Sequence, residues 1–175
     1  MRKQIVFLTS LLLAFTVLAS CQEKSKPSPP AQAQCKFSDG KMITINYSSP
    51  RAKGRKIFGG LVPYGEVWRT GANEATAFVT DANLTVGGKD VPAGSYTIFT
   101  VPNADKWTLI INKKTGEWGI PYKYEGDELA RVDMKVSSTS APVENFTIAL
   151  ASMGGGCALN ISWENTQASV NISAK

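Results

Sequence analysis

The stretch YTIFTVPNADKWTLII, residues 96–111, decides the fold class. It holds two runs rich in β-branched and aromatic residues, Tyr96 to Val101 and Trp107 to Ile111, with Pro-Asn-Ala-Asp (102–105) between them. Such runs suit strands, and Pro, Asn and Asp suit the turn that joins them, so a hairpin is expected here. Apolar residues occupy both faces of each run, which marks the two strands as central ones covered on both sides.

Outward from this hairpin the apolar period is two. Ile43, Ile45 and Tyr47 alternate with Thr44 and Asn46, and Val132, Met134 and Val136 alternate with Asp133 and Lys135. The C-terminal third repeats the pattern with Phe146, Ile148 and Leu150, then Leu159, Ile161 and Trp163, then Val170 and Ile172. Each set is expected to face a core. No window of eleven or more residues after the N-terminal segment keeps a helical period. The expected fold is therefore all-β: one antiparallel β-sandwich or jelly-roll-like domain spanning residues 35–175, with no composition shift that would justify a second.

The N-terminus is of another kind. Arg2 and Lys3 precede an almost unbroken apolar run from Ile5 to Leu18, followed by Leu18-Ala19-Ser20-Cys21. The run is shorter than the roughly 20 residues of a spanning helix, so residues 1–20 read as a secretory signal peptide. Leu-Ala-Ser-Cys resembles the bacterial lipobox, in which the cysteine is acylated and becomes the first mature residue. Cys21 is then a lipidation site, and residues 21–34, which carry three prolines and no large apolar residue, read as a flexible tether. Several acyl chains on one cysteine exceed the single-chain threshold for stable anchoring, so the membrane is an expected partner. Gln22 and Glu23 in place of aspartate favour the outer membrane of the cell envelope, facing the periplasm or the exterior. Cleavage lowers the formal charge from +5 to +3. The cations are spread along the chain, so no nucleic-acid partner is expected.

Export also permits a disulfide between the remaining cysteines, Cys35 and Cys157, the alternative being two buried thiols. Histidine is absent, which removes Ser-His-Asp and Cys-His dyads and His-ligated metals. Neither a metal nor a cofactor is expected. The acidic group Glu125, Asp127 and Glu128, beside Tyr122 and Tyr124, lacks the spacing of a calcium loop and reads as solvated. The glycine pairs lack the lysine and helix of a phosphate loop and read as turns. The five Asn-x-Ser/Thr sites, behind a bacterial export signal, read as strand and turn polar residues.

Residues 48–76, SSPRAKGRKIFGGLVPYGEVWRTGANEAT, break the strand pattern and read as an ordered loop on a rigid sheet. They concentrate Arg51, Arg55, Lys56, Tyr64, Glu66, Trp68, Arg69, Asn73 and Glu74: guanidinium forks for anions, a stacking face, and mixed donors and acceptors. The scaffold reading of the same residues has Trp68 in the core and Arg69 paired with Glu66 or Glu74.

The runs GRKIFGGLVPYGEVWRTGANEATAF (54–78) and GGKDVPAGSYTIFTVPNADKWTLIINKKTGEWG (87–119) closely resemble the bacterial family catalogued as domain of unknown function 2911, with similarity from about Tyr47 to Leu150. The resemblance implies a small exported or lipid-anchored envelope protein and brings no established activity. It places Gly59, Gly60, Pro63, Tyr64, Gly65, Trp68, Arg69, Gly71, Asn73, Glu74 and Trp118 in the family signature.

Two functions are expected to compete. The first is a non-catalytic binding or interaction module for a small polar ligand, a saccharide included, with Arg51, Arg55, Tyr64, Trp68, Arg69, Asn73, Glu74 and Trp118 as candidate contacts; its bland variant is a purely structural envelope protein. The second is a carboxylate-based hydrolase or lyase on envelope saccharides. That chemistry needs two carboxyl groups in one cleft, roughly 5 to 5.5 Å apart for retention or 6.5 to 9.5 Å for inversion, and Glu74 with Glu66 or Glu117 is the pair to examine.

Overall fold

The computed structural model describes residues 27–175. The expected signal peptide, the expected lipidation site Cys21 and the start of the expected tether lie outside the described residues. Nine strands are formed: β1 Pro30–Lys36, β2 Met42–Ser48, β3 Thr76–Thr80, β4 Leu84–Val86, β5 Lys89–Val91, β6 Gly94–Val101, β7 Lys106–Asn112, β8 Glu128–Met153 and β9 Gly156–Ala174. The helical element among the described residues is a single 3-10 turn at Glu125–Asp127. All nine strands belong to one antiparallel sheet in the order β1-β2-β3-β6-β7-β8-β9-β4-β5. The all-β reading is thereby shown.

The sheet folds back on itself to give a sandwich-like body, and the two long strands make the turn. The β8–β9 register shifts between Ser138 and Val143 and again between Val143 and Thr147, while Glu164 opposite takes φ 54°. Bulges of this kind bend a ribbon and raise its twist. The distal arm of β8 and β9 therefore returns over this end of the sheet, with β8 lying against β1 and against Tyr47 of β2. Tyr47 of β2 fixes the crossing, its hydroxyl accepting from Ile148 N at 3.1 Å and donating to Ile148 O at 3.4 Å. Enclosed between the layers are alternating residues expected from the sequence, including Ile43, Ile45, Val132, Met134, Phe146, Ile148, Leu159, Ile161 and Trp163, together with Phe78, Ile98, Trp107 and Leu109.

β6 and β7 occupy the middle of the sheet and are covered on both faces. Ile98, Trp107, Leu109 and Ile111 point into the core, while Phe99 and Asn112 are buried on the opposite face. Phe99 lies there against Tyr122 and Tyr124 from the segment that follows β7, with ring centroids 4.9 and 6.0 Å apart.

The tether is shorter than expected. Residues 30–34 are not free chain but the first five residues of β1, paired with β2 from Pro30↔Ser48 onward. Alternation is present there, Ala31, Ala33 and Cys35 inward and Gln32, Gln34 and Lys36 outward, but alanine is too small to mark a hydrophobic face. Pro30 is tolerated because it opens a strand at the sheet edge, where its missing N–H breaks no ladder.

Cys35 and Cys157 form a disulfide with Cα atoms 6.5 Å apart. It ties the edge strand β1 to β9, so the fold-over is locked covalently across a separation of 122 residues. Closing so long a loop stabilises by up to ~5 kcal/mol in the chain-entropy account, although about 2–4 kcal/mol is the common yield. Denaturant unfolding of the Cys35→Ala, Cys157→Ala double variant is expected to show that loss. Equal midpoints for wild type and variant would show that packing alone holds the arm.

Candidate functional site

Residues 49–75 cross one end of the sandwich and attach to it by short backbone pairings. Ala52 N donates to Glu144 O at 2.8 Å and Phe146 N to Pro50 O at 2.9 Å, which fastens the start of the segment to β8. Trp68 N donates to Thr100 O at 2.8 Å and Thr100 N to Trp68 O at 2.9 Å, which fastens its second half to the end of β6. Between these points Phe58 and Trp68 enter a cluster with Trp107, Phe146 and Trp163. Trp68 stacks on Trp163 at 6.0 Å with planes 17° apart and donates its Nε1–H to Gly71 O at 3.1 Å.

Beside this cluster opens a cleft of about 410 Å³. Trp68 and Trp163 wall it, Leu61, Val62, Pro63 and Ile120 supply apolar edges, and Arg55, Glu66 and Arg69 supply charge. Ser28, at the N-terminal end of the described chain, also lines it. The volume falls within the roughly 300–1,000 Å³ of small-molecule sites. Arg55 donates Nε–H to Ala52 O at 3.0 Å and Nη2–H to Arg51 O at 2.6 Å. Arg69 lies over the Trp118 ring, Cζ 4.7 Å from the centroid, and donates weakly to Trp118 O at 3.5 Å. Burial pushes its guanidinium below the ordinary arginine value, and the charge of Glu74 partly opposes this. Among the described residues neither Arg55 nor Arg69 lies within 4.0 Å of a carboxylate oxygen.

The candidates from the sequence thus separate. Arg55, Glu66, Trp68 and Arg69 share the cleft, and Trp118, 55% exposed, joins them through Arg69. Tyr64 is exposed on the same segment, its ring against Gly59, where an added Cβ would come within 2.8 Å of it. Arg51 and Asn73 are absorbed by the scaffold. Arg51 Nη1 donates to Ser49 O and Ser49 Oγ at 2.8 and 2.9 Å, and Asn73 Nδ2 donates to Ser28 O and Ser48 Oγ at 3.2 and 3.1 Å. Arg69 does not take the ion pair expected for the scaffold reading, because Trp118 from a distant segment offers the nearer surface. Of the three carboxylates considered for glycoside cleavage only Glu66 lines the cleft. Glu74 is exposed outside it, and Glu117 Oε2 accepts from Tyr124 at 3.5 Å.

Much of the segment RTGANEAT is backbone architecture. Thr70 adopts φ 54° and Asn73 φ 58°, a region that costs a β-branched residue dearly and tolerates asparagine. Thr70 is held there by full burial, its Oγ1 3.1 Å from Thr100 Oγ1, while Thr76 Oγ1 donates to Thr70 O at 2.7 Å. A Cβ on Gly71 would meet Ser48 O at 3.0 Å.

Sequence reasoning missed most of the apolar lining of the cleft, Leu61 and Val62 among it, and the three contributors from outside the segment 48–76, Ser28, Ile120 and Trp163. No local pattern joins them; only the exposure of Leu61 and Ile120, 48% and 41%, identifies them once folded. Glu128 is not part of a solvated acidic loop. It takes Arg131 bidentately at 2.7 and 2.8 Å and accepts from Tyr122 at 2.6 Å, while the buried Asn112 donates to Tyr122 Oη and Tyr124 O.

The chain matches, over residues 28–172, the family described as protein of unknown function (DUF2911), and it belongs to that family. The match extends past Leu150 to Ile172, so Cys35 and Cys157 both lie inside the family region. No curated protein and no solved structure matches the chain.

Two outcomes are expected. Asn73→Ala loses two hydrogen bonds and takes on left-handed strain, together about 2–3 kcal/mol, and Asn73→Gly, which relieves the strain, costs less in equilibrium unfolding. Equal losses would remove backbone strain as the reason for asparagine. The second concerns pH. The Arg131 guanidinium holds Glu128 below its ordinary 4.5, so this contribution is present above that value and fades as pH falls through the lowered one. Burial, then the Glu128 hydrogen bond, holds Tyr122 protonated above its ordinary 10.0, so stability falls as pH rises beyond that. Glu128→Gln is expected to flatten the acid limb of a stability profile and Tyr122→Phe the alkaline limb.

Proposed function

We propose that the protein is a lipid-anchored cell-envelope binding module, held on a membrane through Cys21 and binding a small ligand with polar groups in the cleft between Trp68, Arg69 and Ile120. The observation that carries the binding role is the state of Arg55 and Arg69. Both line a cleft with tryptophan walls, both retain N–H donors, and neither has a carboxylate partner among the described residues. A guanidinium left in this condition beside apolar walls suits a ligand with acceptor oxygens, uronic and other acidic sugars included. The hydrolase alternative finds no support in this arrangement, because the cleft offers Glu66 alone.

The anchoring rests on the Leu-Ala-Ser-Cys run and the short segment that follows it. Cys21→Ala is expected to move the protein from the membrane to the soluble fraction, and a variant as firmly bound as wild type would defeat the lipid anchor. For the cleft, uronic and amino sugars and small organic acids are to be screened by tryptophan fluorescence and thermal shift. At least one is expected to saturate, and Arg69→Gln is expected to weaken it at least tenfold with little change in Tm. Binding that ignores Arg69 would place the ligand elsewhere.

A further inference from the structure

The cleft's edges narrow its ligand. Among the described residues five large apolar side chains are exposed, Leu61, Tyr64, Trp118, Ile120 and Met153. Leu61 and Ile120 line the cleft, Trp118 roofs its Arg69, and Tyr64 lies between cleft residues Pro63 and Glu66. Only Met153 is elsewhere, at the tip of the β8–β9 hairpin. An exposed leucine means little alone, but Leu61 and Ile120 both stand exposed in the lining of one opening and give it an apolar edge. A sugar would use one aromatic face and leave Leu61 and Ile120 without a role. A ligand with an aliphatic or aromatic tail uses both.

The charge in the cleft favours the opposite sign at the other end of the ligand. Two guanidiniums face one carboxylate, Glu66, and burial already disfavours the cation of Arg69. A carboxylate or phosphate brought there would supply the missing partner. The chain path adds a third observation. Ser28 is held at the cleft by Asn73, and it lies only seven positions after Cys21. Fully extended, seven residues reach about 25 Å. On the reading that Cys21 carries lipid, the opening therefore stays within that distance of the bilayer surface.

We infer that the cleft binds a single-chain amphiphilic anion, a carboxylate or phosphate monoester on an aliphatic or aromatic tail, with the head between Arg55 and Arg69 and the tail along Leu61, Ile120 and the Trp68–Trp163 wall. This deepens the binding role proposed above and rests on it. A cavity of about 410 Å³ takes one chain or part of one and excludes a whole diacyl lipid.

The test uses the mature chain, residues 21–175 with Cys21→Ser, so that the protein bears no lipid of its own. Chain-brominated dodecanoate below its micelle concentration is expected to quench tryptophan fluorescence saturably at one site, and unlabelled dodecanoate to compete. Arg69→Gln and, separately, Leu61→Ser are each expected to weaken it at least fivefold with unchanged circular dichroism. Dodecyl maltoside, neutral with the same tail, and acetate, anionic without one, are expected not to compete. Quenching that fails to saturate, survives both substitutions or yields equally to the neutral amphiphile would overturn the inference. Sedimentation with phosphatidylglycerol vesicles in the absence of any binding to the monomeric anion would also overturn it, in favour of a bilayer surface. An Arg69-dependent response to sugars without one to dodecanoate would sink the amphiphile and leave the binding role standing; no response to either would remove both.

Discussion

The position of Trp68 is the constraint on which the rest of this end of the molecule depends. Its backbone exchanges two hydrogen bonds with Thr100, and its indole is stacked on Trp163 and edged by Phe58, Trp107 and Phe146. The residue is thus fixed by the central strand β6 through its main chain and by the folded-over arm of β8 and β9 through its side chain. A loop of nearly thirty residues would otherwise cost considerable ordering entropy. Here one residue, clamped from two layers, sets the height of Arg69 and of the left-handed turn beyond it.

That clamp explains why so many polar residues nearby are consumed by structure. Thr70, Thr76 and Thr100 are fully buried and bonded to one another or to backbone, and Asn73 and Arg51 satisfy carbonyls and hydroxyls of the neighbouring chain. Buried polar groups must be partnered, so these side chains have little left to offer a ligand. The exceptions have a different environment. Arg69 rests on an exposed indole, an arrangement worth about 0.5–1 kcal/mol that leaves most of its donors free.

The strands were readable because alternation of large apolar side chains is a direct consequence of burying one face of a sheet. Ile43-Ile45-Tyr47 and Leu159-Ile161-Trp163 lie as their pattern implied, and the doubly covered β6 and β7 follow from apolar residues on both faces. The first half of β1 was not readable, since its inward positions are alanines. The site was legible only in part. Residues 48–76 break the strand alternation, and all but the terminal Ser48 and Thr76 of that stretch form the loop between β2 and β3. The partner of Arg69 lies 49 residues away, and the cleft draws on Ser28, Ile120 and Trp163 besides. Contacts of such separation leave no trace in local spacing. Glu66 and Glu74 bracket Arg69 in sequence and stay near it in space, but neither closes to ion-pair distance.

The division between spent and spare side chains carries the functional argument further than the residue types do. A fold must satisfy what it buries, but nothing requires it to gather exposed apolar side chains beside unpaired guanidiniums. Leu61 and Ile120 leave 48% and 41% of their surface to solvent, and Arg55 and Arg69 stand without a carboxylate within 4.0 Å among the described residues. Each feature alone is ordinary, since folded surfaces are more than half apolar and lone surface arginines are common. Their coincidence around a cleft walled by two tryptophans is not a requirement of the sandwich, which is closed by β8, β9 and the Cys35–Cys157 bond at the other end of the chain's path. What the scaffold leaves unexplained is therefore gathered in one place, where two guanidiniums sit beside tryptophan walls and the exposed Leu61 and Ile120, and it is on this coincidence that the proposed binding role rests.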